Sequence, residues 1–213
     1  MTITKEQIAK DLLSIRAVFL KPDDPFTWAS GIHSPIYCDN RLTLSAPAVR
    51  KDVEAGLAEI VKEKFPAAEM LMGTSTAGIA HAAITATILD LPMGYVRSGH
   101  KDHGRQNQIE GKMEPGTKVV VIEDLISTGG SVLEVVDVLR QAGAQVLGIA
   151  SIFTYGLQKG VERLAAADVV NYSLSDFDTL SKVAAAEGYI ADKDIAKLTA
   201  FQKNPQDPAW MEL

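Results

Sequence analysis

The stretch Val119-Val120-Val121-Ile122-Glu123-Asp124-Leu125-Ile126-Ser127-Thr128-Gly129-Gly130-Ser131 constrains what the whole chain can fold into. Its consecutive β-branched apolar residues predict a strand buried on both faces, the environment of a parallel sheet. Two carboxylates follow where that strand should end, then a turn of small hydroxyl residues and glycines. Val132, Val135, Val136 and Leu139 recur at i, i+3, i+4 and i+7, which predicts a helix with one apolar face. Gly143 stands just beyond it, where a left-handed cap is wanted.

Each part of this strand, acidic pair, loop and helix has a chemical use. Backbone N–H groups of such a loop join the free donors of the helix N-terminus in a ready anion site, to which Ser127, Thr128 and Ser131 add hydroxyls. Glu123 and Asp124 are acceptors only. Beside a phosphate they repel it unless a divalent metal or a cationic transition state stands between. Taken alone, the string serves equally as a tight connection in which Asp124 caps a turn.

The rest of the chain narrows the field. At 213 residues it fits one domain with a sizeable core. The net charge of −6 argues against nucleic acid or an anionic membrane as the main partner. Cys38 is the only cysteine, which excludes an internal disulfide and a cysteine-based metal cluster. It reads as a small buried side chain. No secretory signal is visible, and the most apolar stretch, from Ile79 to Leu91, is too short to span a bilayer. A cytoplasmic location is therefore expected.

In chain order, Thr4 and Gln7 predict a capping box on a helix that turns Ile8, Leu12 and Ile15 inward. After a break at Lys21 to Pro25, the segment Phe26 to Asp39 reads as two short strands around Gly31. It is either a hairpin over the core or a lid over a flat ligand. Pro47 to Lys64 is an amphipathic helix. Met70-Leu71-Met72 is a buried strand, and Gly73-Thr74-Ser75-Thr76-Ala77-Gly78 is a second turn of small residues before a helix, again a candidate anion cradle. His81 on that helix reads as a core or interface residue. Pro92 to Arg97 is a strand, followed by the charged run His100, Lys101, Asp102, His103 and Arg105. Such a run is a solvated surface loop, or a basic loop that closes on a polyphosphate and reopens. Strands at Gln145 to Phe153 and Asp168 to Tyr172 and two C-terminal helices, with Asp176 opening the first, complete the chain.

Glu123 to Ser131 resembles the phosphoribosyl pyrophosphate signature of type I phosphoribosyltransferases, and in this form the orotate phosphoribosyltransferases of the Gram-positive bacterial type. Phe26 to Tyr37 is similar to that family's orotate hood, with His33 where the family generally has lysine. Gly73 to Gly78 is similar to its pyrophosphate loop. Arg97, Lys101, Asp102, His103 and Gly104 match its catalytic loop, with Gly99-His100 replacing Lys-Pro. The resemblance implies a mostly parallel α/β sheet flanked by helices and a single domain over residues 1–213. Residues 1–45 would form a helix and hood packed with the C-terminal helices.

It also implies Mg2+ dependence, with the metal held mainly through pyrophosphate and not by the protein, and a homodimer with shared sites. The catalytic residues implied are Lys101, Asp124, Glu123 and His103. Phosphoribosyl pyrophosphate would meet Arg97, Lys101, His103, Glu123 to Ser131 (with Leu125, Ile126, Ser127, Thr128, Gly129 and Gly130) and Thr74, Ser75, Thr76 and Ala77. Orotate would meet Ser127, Phe26 and His33.

Other classes fit less well. The chain lacks the G-x-G-x-x-G of a dinucleotide oxidoreductase and the G-x-x-x-x-G-K-[ST] of a nucleotide triphosphatase. A transferase for another base, or a non-enzymatic sensor of phosphoribosyl pyrophosphate, would keep the phosphate loops. All the candidate loops follow strands, so in a parallel sheet they share one rim.

Overall fold

The computed structural model describes residues 3–28, 31–97 and 108–213. Its centre is a six-stranded sheet built from β5 (Met70–Thr74), β6 (Met93–Val96), β7 (Ile109–Glu110), β8 (Lys118–Ile126), β9 (Gln145–Thr154) and β10 (Asn171–Asp176). The spatial order is β10-β9-β8-β5-β6-β7, parallel except for the edge strand β7, which runs antiparallel to β6. The expected mostly parallel α/β sheet is what the chain forms. The strand predicted from the run of β-branched residues, β8, lies inside it, with β9 on one side and β5 on the other.

That central place explains the run of β-branched residues. Val120 and Ile122 enter the larger core cluster, whereas Val119 and Val121 enter the cluster on the opposite face. The larger core is covered by α1 (Lys5–Ser14), α2 (Pro47–Lys64), α3 (Ala77–Leu89), α6 (Phe177–Ala186) and α7 (Asp194–Lys203). The smaller one is covered by α4 (Gly130–Gln141), whose Val132, Val135, Val136 and Leu139 are all buried. Gly143 adopts φ 89°, the left-handed cap that the sequence predicts.

The N-terminal segment is assembled from short pieces. Strand β1 (Val18–Leu20) pairs antiparallel with β4 (Ile36–Cys38), and β2 (Phe26–Thr27) pairs with β3 (His33–Ser34). Gly31 between β2 and β3 has φ 83°. Trp28 packs on Tyr155 and Phe201, with ring centroids 5.5 and 5.9 Å apart, which ties this hairpin to α7. A 3-10 helix, Asn40–Ser45, leads from β4 into α2.

Three of the differences from the sequence reading have local causes. The last strand begins at Asn171, not Asp168, because Asp168 takes a left-handed conformation (φ 47°) that closes the preceding turn. A helix, α5 (Gln158–Ala166), lies between β9 and β10 where no element was expected. At the first helix Gln7 donates its backbone N–H to Thr4 Oγ1, but its side chain turns to Asp11, so only half of the capping box forms.

His81 is fully buried between α3 and α2. Its Nδ1 lies 2.7 Å from Glu54 Oε1, and Thr85 Oγ1 donates to Glu54 Oε2 at 2.9 Å. The Glu54 carboxyl thus binds two helices through groups that have no water to fall back on. Removing one partner of such a buried set costs about 3–5 kcal/mol. Glu54→Ala is therefore expected to lower the midpoint of urea unfolding sharply, and a variant within 1 kcal/mol of the parent, roughly the value of an exposed pair, would contradict this reading.

Candidate active site

The strand order places β5, β6 and β8 side by side, with their C-terminal ends on one rim. A cavity of about 680 Å³ opens there. Its walls come from the turn after β5 (Thr74, Ser75, Thr76, Ala77), the end of β6 (Val96, Arg97), the end of β8 (Glu123, Asp124, Leu125) and one side of α4 from Ser131. Ligands bind at such rims in parallel α/β sheets because the chain must leave each strand there.

Both helices that start at the cavity begin without a side-chain cap. Thr76 precedes α3 and Gly129 (φ 73°) precedes α4, and neither caps its helix through a side chain. The helices α1 and α6 are by contrast capped by Thr4 and Asp176. First-turn N–H groups left without a side-chain partner and aimed at a cavity favour an anion. The small residues also permit close approach. A Cβ on Gly78 would stand 2.4 Å from the Ile122 carbonyl oxygen, so α3 could not sit this near β8 with any larger residue there. Gly160 of α5 performs the same service behind the second loop, where a Cβ would meet the Ser127 carbonyl oxygen at 2.6 Å.

Glu123 and Asp124 have different surroundings. Glu123 is buried; its Oε1 accepts from Thr74 Oγ1 at 2.8 Å and from the Asp124 backbone N–H at 2.9 Å. Burial first, then hydrogen bonding and charge repulsion with Asp124, push its carboxyl up to about 8, against the opposing effect of the Thr74 hydroxyl. Asp124 is half-buried on the cavity wall. Of the adjacent carboxyls, one is thus buried and held by hydrogen bonds and the other is half-buried on the cavity wall.

Other expected residues divide between positions. Ser131, Leu125, Arg97, Thr74, Ser75, Thr76 and Ala77 meet around the cavity with Glu123 and Asp124. Ile126 is core, and Ser127 lies with it on a separate groove against α5. The Thr128 carbonyl accepts from Arg163 at 3.3 Å, while Gly129 and Gly130 form the start of α4. Phe26 packs against Tyr37, ring centroids 5.7 Å apart, and His33 Nδ1 lies 3.3 Å from Thr27 Oγ1. Neither hood residue lines this cavity. Lys101 and His103 lie outside the described residues.

The sequence reading missed Glu134, Asp137 and Gln141, which line the cavity from α4. Their spacing from Ser131 marks a polar stripe beside the helix's apolar face, a signal present in the string. With Glu123 and Asp124 they make the cavity rich in carboxyls, while Arg97, 3.3 Å from Glu110, is its cationic side chain among the described residues. Among those residues no group of three His, Cys, Asp or Glu side chains is placed to hold a metal ion. No helix there is long and apolar enough to cross a membrane.

Residues 43–181 match the phosphoribosyl transferase domain family. Over 207 residues the chain is 60% identical to orotate phosphoribosyltransferase of Bacillus cytotoxicus, covering 97% of this chain and 99% of that protein, and it matches the Bacillus anthracis enzyme to the same extent. Among solved structures it is similar to orotate phosphoribosyltransferase from Aeropyrum pernix, with a TM-score of 0.74, 29% identity, and 86% and 99% of the two chains covered. It is also similar to Leishmania donovani UMP synthase (TM-score 0.80, 25% identity), covering 93% of this chain and 42% of that one.

The Glu123 carboxyl gives a pH test. Its proton is held in the folded state up to about 8 but leaves near the ordinary 4.5 in the unfolded chain. Between these values the folded state binds more protons, so this group makes stability fall as pH rises, by at most about 1.4 kcal/mol per pH unit. Glu123→Gln imitates the protonated form. Relative to the parent it should gain stability from pH 5 to pH 8.5 in urea titrations; a difference that stays flat would mean that Glu123 is ionised in the folded protein.

Proposed function

The chain belongs to the phosphoribosyl transferase family and, within it, to the orotate phosphoribosyltransferases; on that premise we propose that the rim cavity carries out a Mg2+-dependent, reversible transfer of ribose 5-phosphate from phosphoribosyl pyrophosphate to N1 of orotate. The products are orotidine 5′-monophosphate and pyrophosphate. The observation that supports this most is the meeting, around one cavity, of two helix starts without side-chain caps and the half-buried carboxyl of Asp124. Anionic groups at both ends of a sugar and positive charge in between require that combination.

In this reading the first turn of α4 and the loop from Ser127 to Ser131 receive the 5′-phosphate, and the turn from Thr74 to Ala77 receives the pyrophosphate. Asp124 lies beneath the ribose. Breaking the bond between C1 and pyrophosphate makes the ring oxocarbenium-like, and a carboxylate already in place stabilises that charge without reorganising. Glu123 holds the Asp124 peptide and lends less charge of its own. Arg97, Lys101 and His103 would meet the phosphates, with Lys101 offsetting charge on the leaving group and His103 able to carry a proton.

A polyphosphate entering a cavity walled by Glu123, Asp124, Glu134 and Asp137 needs a hard cation with it. Oxygen donors on the substrate and the wall suit Mg2+, which in this reading is held mainly through the pyrophosphate. When bound it supplies charge neutralisation for the leaving group. The expected setting is the cytoplasm, and the expected assembly a homodimer.

The direct test is base consumption with phosphoribosyl pyrophosphate and Mg2+. Orotate should be used far faster than uracil, hypoxanthine or adenine; preference for a purine would reject the orotate assignment. Sharing of sites between subunits is tested by mixing inactive Lys101→Ala and Asp124→Asn proteins under exchange. If Lys101 serves the neighbour's site, half of the dimers carry one intact site, and about a quarter of full activity returns. No recovery, with exchange confirmed by mass, would make Lys101 act within its own subunit.

A further inference from the structure

Asp124 sits at a place where the sheet stops supporting it. On the β9 side the pairing of β8 continues to Ile126 opposite Thr154, but on the β5 side it ends at Ile122 opposite Gly73. Strand β5 ends one residue further on, at Thr74, so no strand runs beside Asp124 there. Both of its backbone groups are nonetheless taken, and by side chains. The N–H donates to Glu123 Oε1 at 2.9 Å, and the carbonyl oxygen accepts from Asn40 Nδ2 at 2.6 Å.

Asn40 comes from the far end of the sequence, at the junction of β4 and the 3-10 helix, and is fully buried. Every polar atom of its side chain is used. Cys38 Sγ donates to Oδ1 at 3.2 Å, while Nδ2 is given to Asp124. A donor on one side and an acceptor on the other fix which way the amide faces. Thr43 Oγ1 donates to the Asn40 carbonyl at 2.6 Å and holds the backbone of the same turn. The amide therefore cannot rotate away without stranding buried groups.

We infer that Asn40 is a positioning residue for the transfer reaction: it replaces the missing strand beside Asp124, fixes that peptide, and so aims the Asp124 carboxylate at the sugar. This rests on the proposed reaction and adds to it a physical link between the N-terminal hairpin and the acidic pair. Asn40 does not line the cavity and so need not touch substrate. Its effect should fall on turnover and not on substrate binding, because an aimed charge matters most when positive charge develops.

The test is a double-mutant cycle on kcat with Asn40→Ala, Asp124→Asn and the pair, in the full chain. Asn40→Asp is run in parallel because it keeps the volume of the buried side chain while replacing the Nδ2 donor. Either Asn40 variant should lower kcat at least tenfold with KM for phosphoribosyl pyrophosphate changed by less than twofold. In the Asp124→Asn background the same substitution should lower kcat less than twofold, since there is no longer a charge to aim. An equal loss in both backgrounds, or a loss confined to KM, would overturn the inference and make Asn40 a structural residue only. A parent protein that forms no nucleotide from orotate would instead reject the proposed reaction itself, so the two failures are distinguishable.

Discussion

The structure depends on one buried carboxyl. Glu123 Oε1 accepts from Thr74 on the neighbouring strand and from the backbone of the next residue, at the point where the two central strands part. Without that acceptor the Thr74 hydroxyl would keep only a longer 3.3 Å contact to the Ile122 carbonyl, and the Asp124 N–H would have lost its partner. Burial and the neighbouring Asp124 push this carboxyl well above the usual carboxylate range. The acidic pair thus works as an anchor followed by a charge.

The two strand-to-helix turns of the rim hang from that anchor. Thr74 begins the first turn, and Asp124 leads directly into the second. Each turn ends in a helix whose start lacks a side-chain cap. Packing behind the loops is as important as the loops themselves. Gly78 lets α3 approach β8, Gly160 lets α5 approach Ser127, and Arg163 holds the Thr128 carbonyl from outside. The N-terminal hairpin is coupled to the same centre through Asn40. The α/β core therefore places residues from distant parts of the chain on one short segment.

Much of this was legible in the sequence where burial and periodicity agree. The run Val119 to Ile122 could only be an inner strand, and the spacing of Val132, Val135, Val136 and Leu139 could only be a helix over it. The two strand-to-helix turns were legible from their small residues. Helix α5 was missed although Leu157, Val161 and Leu164 recur at i, i+4 and i+7, because the helix is short and Gly160 is its only buried residue. The start of β10 was misread because its buried side is polar: Ser151 Oγ lies 2.7 Å from Ser173 Oγ and donates to Asn171 at 2.9 Å. The unequal roles of Glu123 and Asp124, and the bond from Asn40 across 84 positions, depend on tertiary contacts that no local pattern carries.

The central claim is that Asp124 supplies the negative charge that the reacting sugar needs, on a peptide held rigid by its neighbours. It is tested most directly by kcat for orotidine 5′-monophosphate formation in Asp124→Asn, measured beside its unfolding midpoint. The amide keeps the shape and leaves the backbone bonds to Glu123 and Asn40 in place. The account predicts a fall of at least a hundredfold in kcat, about 2.7 kcal/mol of transition-state stabilisation, with the unfolding midpoint unchanged. Full turnover in the folded variant would contradict it.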